Sequence, residues 1–299
     1  MKNDLVVKDN ALINASYSLG VVEQRLILLA IVILRKKTHN NQLYSVSFDQ
    51  PIAITADSYI ETFGVNQSTA YETLKDACKS LFSRQFSYQE PRERGVIHKT
   101  TRWVSDIAYV DHSASIEFTF APAVLPLITY LEKHLTSYQL RQVAYLTSGY
   151  AIRLYELLIA WRRTGKTPVI DLIDLRSKLG IGNDKYQRMG QFKEKVLHIA
   201  IDQLNKHTDI TAYYEQHKQG RTIIGFSFHF KHKENVKKII SEKQAQLFAR
   251  QLIKDSEFSG KFSHIGESYL DFSHRIAKQL TQTEYQEKYA LFLRRIKTH

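Results

Sequence analysis

The chain has 299 residues, 43% hydrophobic and 24% charged, with 42 Lys+Arg against 30 Asp+Glu and a formal net charge of +12. That much apolar material excludes wholesale disorder, and five Pro with twelve Gly exclude collagen-like or low-complexity architecture. The lone cysteine, Cys78, excludes an internal disulfide and a cysteine-based zinc site and fits a reducing cytosol, while the cationic surplus favours a polyanion, nucleic acid before membrane.

Leu19, Val22, Leu26, Leu29, Ala30 and Ile33 recur at helical spacing and predict a helix over residues 18–35. Its most apolar stretch, residues 26–34, is nine residues long between Arg25 and Arg35. A spanning helix needs about 20, and no export signal precedes it, so a cytoplasmic location with no membrane partner is expected. Residues 43–48 alternate as a short strand. Residues 56–63 form a small helix capped by Thr55 and closed by Gly64, and residues 66–69 open another with the stripe Ala70, Leu74, Ala77, Cys78 and Leu81. Residues 85–89, 98–104 and 115–120 alternate as strands of a hairpin region around the polar turn 91–95. Residues 123–131 and 137–146 read as helical connectors.

The same order then returns. A helix over 150–163 is followed by a short strand (167–171), a small helix (172–179) ended by Gly180, and a helix over 191–205 with Phe192, Val196, Leu197, Ala200 and Leu204 inward. Residues 210–215 and 222–230 form a hairpin turned at 218–221. From Glu234 onwards helical periodicity persists (Val236, Ile239, Ile240; Leu247, Leu252, Ile253; Tyr285, Tyr289, Phe292, Ile296) with a break over 256–266, and strand signals vanish. The fold class expected is α+β: two tandem winged-helix domains of similar topology, residues 1–136 and 137–233, and a mostly helical C-terminal tail, 234–299. The tail is an appendage and an interaction surface, with Tyr285, Tyr289, Phe292 and the basic Arg294-Arg295 available to a host protein or a membrane.

Each repeat holds a helix–turn–helix. In the first, residues 56–63, the turn Gly64-Val65-Asn66 and residues 67–82 have the required proportions, the first helix bracing the second so that its N-terminal residues enter a major groove. Ser68, Thr69, Glu72, Lys75 and Lys79 fall away from the apolar stripe. Short polar groups reach base edges and lysines suit phosphates, although a solvated helix face has the same pattern. Arg94, in the polar turn, joins them as a candidate DNA contact. In the second repeat Lys185, Arg188, Gln191, Lys193 and Lys195 gather around the helix start, where free backbone N–H groups favour an anion. The hairpin turn adds His217, Lys218 and Arg221. Basic clusters at both places where a winged helix touches DNA are harder to dismiss than one.

No catalytic constellation is found. Gly165-Lys166-Thr167 resembles the end of a phosphate-binding loop, but the glycine needed five positions earlier is Ala160, and a helix precedes it instead of a strand. His229 and His232 would face opposite sides of one strand. Cys78 on an apolar helix face reads as a structural thiol. Neither enzyme activity, metal nor cofactor is expected; a strand-nicking enzyme would need a His cluster that is missing.

Ser148-Gly149-Tyr150-Ala151-Ile152-Arg153-Leu154-Tyr155-Glu156-Leu157-Leu158 resembles the helix that opens the second winged-helix domain of plasmid replication initiators, the iteron-binding Rep family. Phe192-Lys193-Glu194-Lys195-Val196-Leu197 with Ala200 and Leu204-Asn205 resembles its second recognition helix, and Asn10-Ala11-Leu12-Ile13 with Gln24-Arg25-Leu26 its opening segment. Coverage is roughly residues 5–233, and the tail falls outside it. The resemblance implies binding of double-stranded DNA at tandem origin repeats (iterons), opening of an adjacent A·T-rich region, and recruitment of the host initiator and replicative helicase. It also implies a homodimer, formed through the first domain in equilibrium with monomer, that binds an operator inverted repeat and represses its own gene. A tandem winged-helix transcriptional regulator without initiator activity is the alternative. Arg153 within the signature is a secondary candidate for DNA contact, against a buried ion pair.

Residues 1–136 hold 14 Lys+Arg and 14 Asp+Glu, residues 137–233 hold 16 against 8, and residues 234–299 hold 12 against 8. The charge is thus concentrated in the second repeat, which is expected to supply most of the affinity. A neutral first repeat tolerates another copy of itself.

Overall fold

The computed structural model describes residues 4–39, 50–129, 135–233, 241–290 and 292–293. The strand expected at 43–48 and the apolar positions Val236, Ile239, Ile240 and Ile296 lie outside them, as do Arg294 and Arg295.

β1 (Leu5–Asp9) runs into a single helical turn, α1 (Asn10–Ile13), because the Asp9 carboxylate accepts from the Ala11 amide at 2.6 Å. α2 (Val21–His39) is the apolar helix expected near residue 18. After β2 (Ile52–Thr55), α3 (Ala56–Phe63) begins where the Thr55 hydroxyl accepts from Ser58 N at 3.1 Å, and it stops at Gly64, whose φ of 63° is left-handed. α4 (Gln67–Ser83) is capped by Asn66, and its whole expected stripe is buried. Burial pushes the Cys78 thiol up to about 11, consistent with an inert core residue.

The next strands correct the sequence reading. β3 (Gln85–Pro91) and β4 (Val96–Arg102) make a two-stranded sheet of their own. The wing of the first module is instead β5 (Val104–Val110) with β6 (Ser115–Phe120), which join β2 in the order β2-β6-β5. Only Val104 of β5 is fully buried, so its alternation was too faint to read. The two expected helical connectors are also overturned. Of the first connector, the described residues 123–129 hold a 3-10 turn at Leu125–Leu127, with Pro126 in its first positions, and no longer helix. β7 (Leu135–Gln139) is a strand paired antiparallel with β1, and a second 3-10 turn, Leu140–Gln142, follows. Thr136 and Tyr138 are the inward positions of β7, a period of two hidden by their polarity.

α5 (Gly149–Ile159) is buried on every side from Ala151 to Ile159. It is followed by β8 (Ile170–Asp171), α6 (Leu172–Lys178), α7 (Met189–Phe192), a π-helical stretch Lys193–His198 and α8 (Ile199–His207). β9 (Ile210–Gln219) and β10 (Thr222–His232) then close a sheet in the order β8-β10-β9. Each module therefore places its third strand between its first and second. The β3–β4 hairpin is an insertion between α4 and the first wing.

The two winged helices share one core, which runs without interruption from Val6 to Phe230. The N-terminal segment fastens them. Arg153 is 1% exposed, and its guanidinium donates to the carbonyls of Ile13 (2.9 Å), Ala15 (3.0 Å) and Lys178 (3.0 Å). It also donates to Glu156 at 2.8 Å and lies 4.0 Å from the centroid of the Tyr17 ring. Glu156, fully buried, accepts from Lys8 and from the Tyr138 hydroxyl, each at 2.6 Å. Arg153 is thus the buried ion pair, and its burial rules out the DNA contact weighed for it. Gly180, with φ 71°, meets the same segment: an added Cβ would lie 2.1 Å from the Tyr17 carbonyl. Only glycine allows this approach.

The tail is a second compact unit, beginning at Lys233. Its helices are α9 (Glu242–Leu252), α10 (Ser256–Phe262), α11 (Tyr269–Leu280) and α12 (Thr283–Lys288). The break expected over 256–266 is half wrong, since Asp255 caps α10 by accepting from Phe258 N at 3.0 Å. Tyr289 and Phe292, read from sequence as an outward face, belong to the unit's own core with Phe258, Phe272 and Ile276. Arg275 grips Glu267 with two N–H···O bonds of 2.6 and 2.7 Å and donates to the Phe262 carbonyl at 2.8 Å, fixing the loop between α10 and α11. Those bonds bring the Glu267 carboxyl down to about 2, so its contribution to the loop is present above the ordinary carboxylate range and lost as pH falls through about 2. A carboxyl 13C titration is expected to find Glu267 ionised throughout pH 3–8, with its midpoint raised toward the ordinary carboxylate range in an Arg275→Met variant.

Candidate nucleic-acid interface

α4 presents Ser68, Thr69, Glu72 and Lys79 to solvent, opposite its buried stripe, with Lys75 half-buried. The structure adds restraints the sequence did not reveal. The Ser68 amide and hydroxyl both bond to the Asn66 side-chain oxygen at 2.9 Å, so Ser68 is bent back onto the cap. Lys75 leans against the first wing, its Nζ 3.4 Å from Asp111 Oδ1 and over the rings of Tyr71 and Tyr109. Lys79 also lies over Tyr109, at 5.8 Å. Tyr71 donates to the same Asp111 oxygen at 2.6 Å, and this bond, then Lys75, keeps the Asp111 carboxyl below its ordinary range. The partner bond pushes the Tyr71 hydroxyl up to about 12. Arg94 is exposed at the tip of the β3–β4 hairpin, whose other end is tied to the C-terminus of α4 by Arg102 donating to Phe82 O at 3.0 Å.

The second module is organised by a residue that sequence reasoning passed over. The connection between α6 and α7 spans residues 179–188, and the Arg176 guanidinium donates to three of its carbonyls: Gly182 at 3.3 Å, Lys185 at 2.5 Å and Tyr186 at 3.0 Å. The same group stands 5.4 Å from the Phe192 ring. Tyr186 takes a left-handed φ of 49° and packs edge-on to Tyr150. Lys185 and Arg188 are exposed on this clamped loop, and Gln191 and Lys195 on the helix that follows. Nothing in the spacing of Arg176 marks it; its role exists only once the loop is folded.

Lys193 reaches across to Gln216 Oε1 of β9 at 3.5 Å and so links recognition helix to wing. Lys195 pairs with its neighbour Glu194 at 2.9 Å, which raises the lysine and lowers the glutamate, though both remain exposed. Lys218 and Arg221 flank the wing turn in full solvent contact, with Gly220 left-handed at φ 60°. His217 turns onto the sheet, its Nε2 2.8 Å from Ser227 Oγ. Among the described residues no group of His, Cys, Asp and Glu is placed to hold a metal ion, and no helix is long and apolar enough to cross a membrane.

Two helix–turn–helix units, each closed by a wing, with exposed cations at the start of the second recognition helix and at its wing, define a tandem winged-helix protein of the DNA-binding class. Residues 5–159 match the family described as Initiator Replication protein, WH1, and residues 171–230 match Initiator Rep protein, WH2. The chain belongs to this family of plasmid replication initiators. It is 23% identical over 219 residues to an Escherichia coli protein described only as an uncharacterized 27.6 kDa protein, covering 72% of this chain and 91% of that one. The Pi initiator protein, whose crystal structure was solved in complex with iteron DNA, has the same fold: TM-score 0.62, 20% identity, covering 79% of this chain and 100% of that one. The WH1 domain of MSBI1.176, a replication protein isolated from a multiple sclerosis patient, is 55% identical across 38% of this chain and 81% of its own, with a TM-score of 0.31.

Proposed function

We propose that this protein initiates plasmid replication by binding direct repeats in origin duplex DNA with both winged helices, promoting opening of adjacent DNA and recruiting the host initiator and helicase. In this reading it also represses its own gene as a dimer formed through the first module, whose charges balance. One observation carries the reading: Lys185, Arg188, Gln191, Lys193, Lys195, Lys218 and Arg221 are all accessible to a ligand on one winged helix, and none is buried in its core. Backbone N–H groups at the helix start add to that field. In the first module Ser68, Thr69, Glu72, Lys75 and Lys79 read bases or hold phosphates, and the solved Pi–iteron complex gives the same fold a DNA partner.

If the six cations of the second module contact phosphate, log K for origin duplex falls with log salt with a slope of about −5. The paired replacement Lys218→Gln and Arg221→Gln is expected to flatten that slope by about 2, with thermal unfolding unchanged. An unaltered slope would remove the wing from the interface. The initiator role is tested by plasmid maintenance. A replicon carrying the repeats should establish itself only when this protein is supplied. Tight repeat binding without maintenance would leave a regulator that does not start replication.

A further inference from the structure

We propose that Asp111 sets the DNA preference of the first module by competing with DNA phosphate for Lys75. The proposal rests on the reading of α4 as a helix that contacts DNA. Tyr71, Lys75 and Lys79 stand at i, i+4 and i+8 on α4, one stripe beside the exposed face that carries Ser68 and Glu72. Across from them, the first wing offers Tyr109 and Asp111. The Asp111 carboxylate takes the Tyr71 hydroxyl at 2.6 Å and the Lys75 ammonium at 3.4 Å on one oxygen, and its side chain is 74% exposed. An anion accepting a cation and a hydroxyl at the mouth of a recognition helix occupies the position a backbone phosphate would take.

Two consequences follow from elementary electrostatics. Lys75 has its charge partly met in the free protein, so a phosphate must displace Asp111 before gaining that contact. Asp111 also repels any phosphate that approaches the wing turn. At the wing turn of the second module, Lys218 and Arg221 have no acid within two residues on either side, and that module's charge is in surplus. The first module is thereby kept from gripping arbitrary duplex, and its lysine is released only where base contacts by its neighbours on α4 hold the helix in the groove.

Asp111→Asn preserves the acceptor for Tyr71 and removes the charge. Binding of the full chain to origin duplex and to a duplex of unrelated sequence would be titrated at several salt concentrations. The variant should tighten binding to unrelated duplex about fivefold at 0.15 M salt and steepen its slope by about 0.9, the signature of one further neutralised phosphate. The ratio of origin to unrelated affinity should fall correspondingly. In a Lys75→Met background the same substitution should lose most of this gain. If Lys75→Met weakens origin binding while Asp111→Asn changes neither affinity nor slope, the competition is refuted and α4 still contacts DNA. If neither substitution changes binding to any duplex, α4 is not a DNA-contacting helix and the underlying reading fails with it.

Discussion

Replacing Glu156 by Gln is expected to lower the unfolding free energy by about 3–5 kcal/mol, because it leaves two buried cations facing a neutral amide. Lys8 and Arg153 are both inside the core, and Glu156 is the carboxylate that meets each of them. Arg153 keeps its three carbonyl partners after the change, whereas Lys8 loses the one salt-bridge partner it has among the described residues, so most of the cost falls on the lysine. Denaturant unfolding of the full chain measures this directly, and a loss below about 1 kcal/mol would contradict it. Replacing Lys8 by Met in the same variant should restore part of the stability by removing the stranded charge. The pH dependence has a definite sign. Burial alone would raise the Glu156 carboxyl, but Lys8 and Arg153 outweigh it and hold the group below its ordinary range. Its contribution is therefore complete above the unfolded-state value of about 4.3 and is lost as pH falls through the lower folded value. The variant should show a shallower loss of stability in acid than the native protein.

Replacing Arg176 by Ala is expected to weaken origin binding by about 10- to 100-fold. The three bonds from its guanidinium to loop carbonyls are charge-assisted, and hydrogen bonds of that kind are worth about 1.5–3 kcal/mol. Without them the loop carrying Lys185 and Arg188 must be ordered at the moment of binding, and the ligand bears that entropy. The salt slope should stay as it is, because Arg176 holds the loop and touches no phosphate in this scheme. A binding change under twofold, or a slope flattened by one unit, would each defeat this assignment.

The helix–turn–helix of the first module was legible because its signals are local. Thr55, Gly64 and Asn66 each act within four residues of where they stand, and the stripe from Ala70 to Leu81 needs no partner to be recognised. The wing escapes a sequence reading because β5 buries Val104 alone among its residues and leaves an alternation too faint to mark it as a strand. β7 was taken for helix since its partner, β1, lies some 130 residues away and its inward positions are Thr136 and Tyr138. In the tail, the break expected over 256–266 falls partly on α10, where Gly260 sits with open space around it. Arg153 shows the same limit at a single residue. Its two readings could not be separated until the backbone of Ile13 and Ala15, 138–140 positions earlier, was seen to face it.

The candidate interface divides along the same line. Cations at a helix start and a hairpin turn were visible as composition at recognisable places. What restrains them was not: the leaning of Lys75 toward Asp111, the Glu194–Lys195 pair, the span from Lys193 to Gln216, and the Arg176 clamp all depend on geometry. Arg94 was visible as a basic residue in a turn, and that turn proves to be the exposed tip of the inserted β3–β4 hairpin.

The fastening of the N-terminal segment has a consequence for synthesis. Lys8 waits 148 residues for Glu156, and Ser16 waits 161 residues for Ser177. At about 5–20 residues per second the ribosome leaves Lys8 without its counter-ion for roughly 7–30 s. Through that interval the first module lacks the core contacts that α5 supplies in the finished protein. Its core is therefore completed only after the ribosome has passed Glu156 and Ser177.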